Sequence, residues 1–285
     1  MPAARLEGRP IALAIRDDVK HRAAALHARA VAPKCVALVV DGDGPGMLYA
    51  QTAKRIGSDL GIQIEIVPIG ANADTSGALA IVHRICDEPT VHGMMIQRPL
   101  PARLDEQRLV EAIDPAKDVD SAHPFNQGLL AVGKANLAPA TAGAVLEILR
   151  HPPVPPLAGA RVAVLGRSAV VGRPVAALLT AEDATVTLCH SRTTNIAAIT
   201  FQSDIIVLAM GKPGFLKGEM VAPGAIVVDV GTTVVDGRLV GDADAATVEA
   251  VAGALTPVPG GVGPVTTAVL LRNIVTAAEA LHPTT

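Results

Sequence analysis

The sequence predicts an α/β protein in which two lobes face each other across a cleft and the sheets are mainly parallel. Short β-branched segments alternate with longer helical patterns, which is typical of parallel strands joined by crossover helices. A proline-rich segment at residues 151–156 (HPPVPP) predicts a stiff connection before the second lobe. That lobe then opens with a strand that runs directly into a glycine turn, which indicates a Rossmann-like domain.

Each predicted strand is a short apolar run, and each predicted helix carries apolar residues at helical spacing. The predicted strands are residues 35–40, 63–67, 91–96, 161–165, 185–189, 205–209 and 226–230. The predicted helices span about residues 10–30, 47–60, 76–86, 106–112 and 265–281, and two more start near Thr141 and Gly172. The last helix is apolar around much of its circumference, so we expect it to be covered by the first lobe.

The composition limits the classes of function. The chain has 285 residues, of which 50% are hydrophobic, with no Trp, one Tyr and three Phe. The apolar content excludes a disordered protein, and the net charge of -3 with so few aromatic residues excludes a nucleic-acid-binding surface. Apolar runs fall short of the ~20 residues of a membrane span, and three scattered cysteines indicate reduced thiols. We therefore expect a cytoplasmic protein without a metal site.

The clearest local motif is the turn at residues 166–174 (GRSAVVGRP), between a predicted strand and a predicted helix. In this context backbone amides and a helix N-terminus bind phosphate, which makes Gly166, Arg167, Ser168 and Gly172 candidate cofactor-binding residues. The spacing departs from the usual G-x-G-x-x-G pattern. A tight strand-to-helix turn with no ligand remains an equal alternative.

The end of the next strand indicates which dinucleotide this turn would bind. A domain that binds NAD usually has an acidic residue there, which accepts a hydrogen bond from the ribose 2′-hydroxyl. Here the strand ends in residues 189–193 (CHSRT), which contain no acid. Ser191, Arg192 and Arg167 suit a 2′-phosphate instead, so the predicted cofactor is NADP. The alternative is that the two arginines are solvated surface charges.

Three further loops follow apolar strands and so belong to the end of the sheet where ligands bind. They are residues 209–214 (AMGKPG), 228–233 (VDVGTT) and 256–266 (TPVPGGVGPVT). Thr232 in the second loop is a candidate cofactor contact. The third loop is rich in proline and glycine, which predicts a rigid wall for substrate or cofactor, with Pro259, Gly260 and Gly261 as candidate substrate contacts.

Taken together, these motifs resemble the methylenetetrahydrofolate dehydrogenase/cyclohydrolase family, known as FolD. Residues 166–174, 189–193, 229–231 and 256–264 resemble its NADP-binding lobe. Residues 96–101 (IQRPLP) and 117–126 (KDVDSAHPFN) resemble its folate-binding lobe. The resemblance covers nearly the whole chain in order. It implies a folate or catalytic domain of residues 1–138 completed by 265–285, an NADP-binding domain of residues 139–264, and a homodimer.

The resemblance also implies a reaction and its residues. A hydride passes from 5,10-methylenetetrahydrofolate to NADP, and water then opens the methenyl product to 10-formyltetrahydrofolate. Asp120 matches the residue that anchors the pterin, and the alternative is that it only caps a turn. Gln97 matches the glutamine that holds a catalytic lysine, and Tyr49 matches a tyrosine of the same site. Burial can tune such a lysine for proton transfer at neutral pH.

The catalytic lysine is where this sequence departs from the family pattern. The family has Tyr followed four residues later by Lys, whereas Tyr49 and Lys54 are five residues apart. Counting forward from Pro45 aligns Lys54 with the lysine, and counting back from Gly61 places Ala53 there instead. Our sequence-based prediction takes Lys54 as the catalytic residue and leaves both alignments open.

Other departures lie around the same site. The family's DGFH, CTP, GIN and QLPLP read here as 120–123 DSAH, 140–142 ATA, 231–233 GTT and 97–101 QRPLP. The leading hypothesis is an NADP-dependent methylenetetrahydrofolate dehydrogenase that also carries out the hydrolysis. The alternatives are a dehydrogenase with lost hydrolase activity, an NADP-linked enzyme for another substrate, and a binding protein without turnover.

Overall fold

A computed structural model describes residues 2–284, in which parallel strands alternate with helices. The strands are Ala4–Arg5 (β1), Lys34–Val40 (β2), Gln63–Ile69 (β3), Gly93–Ile96 (β4), Arg161–Leu165 (β5), Thr185–Cys189 (β6), Ile205–Leu208 (β7), Ile226–Asp229 (β8), Thr233–Val235 (β9), Arg238–Val240 (β10) and Ala254–Leu255 (β11). The helices are Gly8–Ala28 (α1), Gly44–Asp59 (α2), Thr75–Cys86 (α3), Glu106–Glu111 (α4), Pro124–Ala131 (α5), Ala140–Leu149 (α6), Gly172–Ala181 (α7), Ile196–Phe201 (α8), Ala245–Val248 (α9) and Val262–Leu281 (α10), with a 3-10 helix at Gly218–Met220.

The described chain divides into two compact units. The first unit, called here the catalytic unit, comprises Ala14–Leu129, Ala135–Ala138 and the chain from Leu270 onward. The second, the dinucleotide unit, comprises the chain up to Leu13 together with Leu130–Lys134 and Pro139–Val269. The domain limits expected from the family resemblance stay a prediction.

The catalytic unit is built on a parallel sheet of three strands in the order β3-β2-β4. The central strand β2 is buried along almost its whole length, because its sequence KCVALVV offers apolar side chains to both faces of the sheet. Helices α2 and α3 each begin at an aspartate whose carboxylate accepts a backbone N–H: Gly46 donates to Asp43, and Gly77 donates to Asp74. These caps determine where each crossover helix begins.

The dinucleotide unit contains a six-stranded parallel sheet in the order β1-β11-β8-β7-β5-β6. After β5 the chain forms β6 on one side and then returns to form β7 on the other side. This reversal of strand order opens a crevice at the carboxyl ends of β5 and β7, where ligands bind in sheets of this kind. The predicted α/β fold class with mainly parallel sheets is confirmed.

All seven strands predicted from the sequence are present, with ends that move by a few residues. The sequence-based prediction missed β1, the β9–β10 hairpin and β11, which are two or three residues long and carry little periodic signal. It also missed α5, α8 and α9. None of the helices in residues 2–284 combines the length and hydropathy that a bilayer crossing requires.

Candidate active site and dinucleotide pocket

The first candidate site lies in the catalytic unit, where the start of α2 approaches the end of β4. A Cβ atom on Gly46 would lie 2.0 Å from the Asp43 carboxylate and 3.1 Å from the Gln97 Cβ. Glycine at this position therefore allows both the helix cap and the close approach to Gln97. The backbone N–H of Gln97 donates to the carbonyl of Leu38 at 2.9 Å, which holds it in line with β2.

Asp120 belongs to a segment that is held by several buried hydrogen bonds. The carboxylate of Asp118 accepts the N–H of His123 and the side-chain amide of Asn126, both at 2.8 Å. The side-chain amide of Asn273 donates to the carbonyl of Val119 at 2.8 Å. These contacts fix the backbone on both sides of Asp120 and determine where its carboxylate lies.

Burial raises the pKa of Asp120 to about 6, with Arg98 opposing the rise and Asp118 adding to it. Tyr49 lies close enough for the Asp120 charge to act on it. Burial raises the pKa of Tyr49 well above its usual range, and the negative charge of Asp120 raises it further. At neutral pH the site therefore holds a protonated phenol, which is able to donate a hydrogen bond, near a carboxylate whose pKa is about 6.

Lys54 does not join this group. The buried residues of α2 are Gly46, Ala50, Ala53, Ile56 and Gly57, and Lys54 lies on the exposed face of the helix. Residues four apart share a helix face, so Ala53 and not Lys54 lies on the same side as Tyr49. The prediction that Lys54 is the catalytic lysine is not supported by its position.

Arg98 is a residue of this site to which the sequence analysis assigned no role. It directly follows Gln97, its side chain is mostly buried, and its Nε donates to the Glu106 carboxylate at 2.6 Å. Its charge acts on Asp120. The signal was present in the sequence, because an arginine replaces the family's leucine at this position.

The second candidate site is a pocket of about 420 Å³ in the dinucleotide unit, at the carboxyl ends of β5, β6 and β7. It is lined by Leu165, Gly166, Arg167, Cys189, His190, Ser191, Ile196, Ala209, Met210, Lys212 and Phe215. No acidic side chain is among these lining residues, so the pocket suits a phosphate-bearing ligand.

Two glycines explain why the turn before α7 has its sequence. Gly166 has φ +120°, and a Cβ atom there would lie 2.2 Å from the carbonyl oxygen of Ala209. A Cβ atom on Gly172 would lie 1.9 Å from the carbonyl oxygen of Gly166. Both positions need glycine, because the turn packs directly against the end of β7 and the start of α7.

The structure places the candidate cofactor residues in two groups. Gly166, Arg167 and Ser191 line the pocket, whereas Ser168, Gly172 and Thr232 are not among its lining residues. The Ser168 hydroxyl instead accepts the N–H of Val171 at 3.2 Å and so stabilises the turn. Thr232 is exposed beyond the end of β8.

Lys212 and Met210 are pocket residues that the sequence analysis did not select. The lysine ammonium lies 5.9 Å from the ring centre of Phe215, which is also a lining residue. The loop of residues 209–214 was expected to lie at the ligand end of the sheet, but nothing in its sequence indicated which of its side chains face the pocket.

The proline- and glycine-rich loop packs against the start of α1 within the dinucleotide unit. The peptide between Val258 and Pro259 is cis, and Gly260 has φ +111°. The N–H of Gly8 donates to the carbonyl of Gly260 at 3.0 Å, and a Cβ atom on Gly8 would lie 1.8 Å from the carbonyl oxygen of Gly261. These contacts hold the loop against the start of α1, and its role as a wall for substrate or cofactor stays a prediction.

Comparison with known proteins shows which family this chain matches. Residues 6–120 match the catalytic domain of the tetrahydrofolate dehydrogenase/cyclohydrolase family, and residues 139–282 match its NAD(P)-binding domain. The chain belongs to the tetrahydrofolate dehydrogenase/cyclohydrolase family. It is 46% identical to the "Bifunctional protein FolD" of Nocardia farcinica over 98% of this chain and 99% of that protein.

Solved structures agree with this family. The bifunctional FolD enzyme of Campylobacter jejuni has a TM-score of 0.94 at 32% identity, over 98% of this chain and 99% of that one. The Trypanosoma brucei FolD, solved with NADP cofactor and inhibitor, has a TM-score of 0.94 at 37% identity over the full length of both chains. The expected family is confirmed, and with it the dehydrogenase/cyclohydrolase class and the NADP cofactor.

Proposed function

We propose that this protein oxidises 5,10-methylenetetrahydrofolate with NADP and opens the methenyl product with water. The observation that carries the proposal is the group formed by Tyr49, Gln97 and Asp120 within the part of the chain that matches the family's catalytic domain. A pterin presents a ring N–H beside an amino group, and a carboxylate accepts both donors together. Asp120 is therefore the pterin anchor.

Each residue of this group has a physical task. Asp120 binds the pterin in its ionised form, and the Tyr49 phenol donates a hydrogen bond in the same site. Gln97 is buried at the end of β4 next to the first turn of α2, where its amide orients the bound folate. Pro259, Gly260 and Gly261 remain candidate substrate contacts within the dinucleotide unit.

The pocket at the ends of β5 and β7 fits NADP. Gly166 would allow the backbone to approach a pyrophosphate, and Arg167 and Ser191 would hold the 2′-phosphate by charge-assisted hydrogen bonds. When NADP is bound, its nicotinamide supplies the hydride acceptor. The residues of the chain bind and orient the substrate and the cofactor, as proteins generally do in cofactor-dependent enzymes.

A second candidate function is favoured by one observation: Ala53, which lies four residues after Tyr49 as the family's lysine does, is buried, whereas Lys54 is exposed. Hydride transfer depends mainly on orientation, whereas ring opening by water depends on proton transfer. The second candidate is therefore a dehydrogenase with weak hydrolase activity.

Two spectroscopic assays test both candidates. NADPH formation from 5,10-methylenetetrahydrofolate measures the dehydrogenase, and the loss of methenyltetrahydrofolate absorbance measures ring opening. Turnover in both assays supports the bifunctional enzyme, and turnover in the first alone supports the second candidate. A purified protein that reduces neither NADP nor NAD with this substrate contradicts both.

The proposed assembly is a homodimer that pairs through β6, and the proposed location is the cytoplasm. Strand β6 forms one edge of the six-stranded sheet, and the exposed Val132 lies beside it in a groove with Ala176 and Leu188. The free cysteines agree with a reducing compartment. Light scattering tests the dimer, and Val186→Lys in β6 should yield monomers. Fractionation of cells tests the location.

A further inference from the structure

Three consecutive backbone N–H groups at the end of β7 converge on a single buried carboxylate. The N–H groups of Met210 and Gly211 donate to Asp242 Oδ2 at 2.7 and 3.0 Å, and the N–H of Lys212 donates to Asp242 Oδ1 at 2.6 Å. Asp242 is completely buried. Successive N–H groups in such a turn form a concave site for an anion, and here the carboxylate of Asp242 occupies that site.

A second buried carboxylate holds Asp242 in place. Asp229, the last residue of β8, accepts the N–H groups of Gly231, Asp242 and Ala243 at 2.8, 3.0 and 2.8 Å. A Cβ atom on Gly231 would lie 2.5 Å from the Asp242 carboxyl carbon. The two carboxylates therefore connect the loops that follow β7, β8 and β10 into one hydrogen-bonded unit.

This arrangement places a buried carboxylate that accepts three backbone hydrogen bonds next to the dinucleotide pocket. Met210 and Lys212 line the pocket, and the residue between them, Gly211, has φ +63°. The N–H groups of this turn are partly buried, and all three donate to Asp242, which gives them the acceptor that they need. The carboxylate thus determines the backbone conformation that directs two side chains toward the ligand.

We propose that Asp242 is a positioning residue for cofactor binding, which acts through the turn of residues 210–212 and does not touch NADP. This inference rests on the proposed function, because it takes the pocket as the NADP site. Loss of one carboxylate oxygen removes the acceptor for Lys212, or for Met210 and Gly211 together. A substitution at Asp242 should therefore lower the affinity for NADP and leave folate binding and kcat nearly unchanged.

Titration calorimetry with NADP alone provides a direct test. Asp242→Asn should raise the Kd for NADP about tenfold, the size expected for a lost hydrogen bond to a charged group. In the NADPH assay the KM for NADP should rise by a similar factor, while kcat and the KM for methylenetetrahydrofolate should stay within about twofold. Asp244→Asn is the matched control, since Asp244 is paired with Lys217 at 2.8 Å outside the pocket.

The outcomes separate the inference from the proposed function. Wild-type protein that does not bind NADP contradicts the proposed function. If the wild type binds NADP but Asp242→Asn has an unchanged Kd, or if both KM values rise equally, the role of Asp242 alone is overturned.

Gly211→Ala is a second variant for the case in which Asp242→Asn does not fold. Gly211 is exposed with open space around it, and only its φ of +63° resists a side chain. A folded Gly211→Ala protein should also bind NADP more weakly, and an unchanged Kd would contradict the inference.

Discussion

Tyr49 and Ala53 lie one turn apart on the same side of α2, and Ala53 is completely buried there. A rotation of about 100° per residue places Lys54 about 140° from Tyr49 around the helix axis, on the exposed face. The family's spacing, with Lys four residues after Tyr, therefore falls on the buried Ala53 and not on Lys54.

The first prediction concerns the missing lysine. Ala53→Lys should raise the rate of methenyltetrahydrofolate hydrolysis by about tenfold or more, because it places an amine on the Tyr49 face where general acid–base catalysis typically contributes 10²–10⁴-fold. Lys54→Ala should leave hydrolysis unchanged. The measurement is the decay of methenyl absorbance.

Ala53→Met is the matched control for Ala53→Lys, since it adds a side chain of similar length without a charge. Both variants should melt at lower temperature than the wild type, because they add volume to a fully packed position. If Ala53→Met stimulates hydrolysis as strongly as Ala53→Lys, the amine is not the cause. A marked loss of hydrolysis in Lys54→Ala would restore Lys54 as the catalytic residue.

The second prediction is a pH dependence set by Asp120. The pterin needs the ionised carboxylate, and burial raises the pKa of Asp120 to about 6. The KM for methylenetetrahydrofolate should therefore fall as the pH rises from about 5 to about 7.5. Asp120→Asn should remove this dependence and raise the KM by about 10-fold or more. Steady-state kinetics across this range, with saturating NADP, measure both effects.

The same pKa predicts a stability effect of opposite sign. A carboxyl group whose pKa is higher in the folded state stabilises the fold at low pH, and this contribution is lost as the pH rises through about 6. Asp120→Asn should thus melt at a higher temperature than the wild type at about pH 8 and lose this advantage at about pH 4. Equal melting temperatures at both values would contradict the buried, ionised carboxylate.

Arg98 supplies a third prediction at this site. Its charge lowers the pKa of Asp120, so Arg98→Leu should move the midpoint of the KM–pH profile to higher pH. Glu106→Gln removes the ion-pair partner of Arg98 but keeps the guanidinium, and it should not move the midpoint upward. An unchanged midpoint in Arg98→Leu would show that the arginine has no influence on the anchor.

The fourth prediction concerns the choice of cofactor. Arg167 lines the pocket, where we propose that it binds the 2′-phosphate that NADP has and NAD lacks. Arg167→Ala should therefore raise the Kd for NADP by about 10- to 100-fold, while the Kd for NAD changes little. Arg161→Ala is the control, because Arg161 lies at the opposite end of β5 and pairs with Asp204 at 2.9 Å. A parallel loss of affinity for both dinucleotides would argue against a 2′-phosphate contact.

The fifth prediction tests the glycine turn through stability. Gly166→Ala should lower the free energy of unfolding by about 2–4 kcal/mol, because it combines a strained φ with a clash against the Ala209 carbonyl. Gly159→Ala is the control, since Gly159 has φ +78° but no atom within 4 Å of the added methyl group. Urea unfolding of both variants measures how much of the lost stability comes from the clash and how much from the strained φ. Equal losses in the free energy of unfolding would contradict the close approach of Gly166 to the Ala209 carbonyl.

The sequence alone determined the seven longer strands, because buried parallel strands require unbroken apolar runs such as VALVV in β2 and VAVL in β5. It also determined the glycine turn and the family, since these depend on local backbone needs and on motifs in order. Tertiary structure decided the rest. Packing against neighbouring elements set the rotation of α2, which buries Ala53 and exposes Lys54. The hydrogen bonds from residues 210–212 to Asp242 join segments about 30 residues apart. No local sequence pattern predicts them, because the donors that a carboxylate meets depend on which loops the sheet brings together.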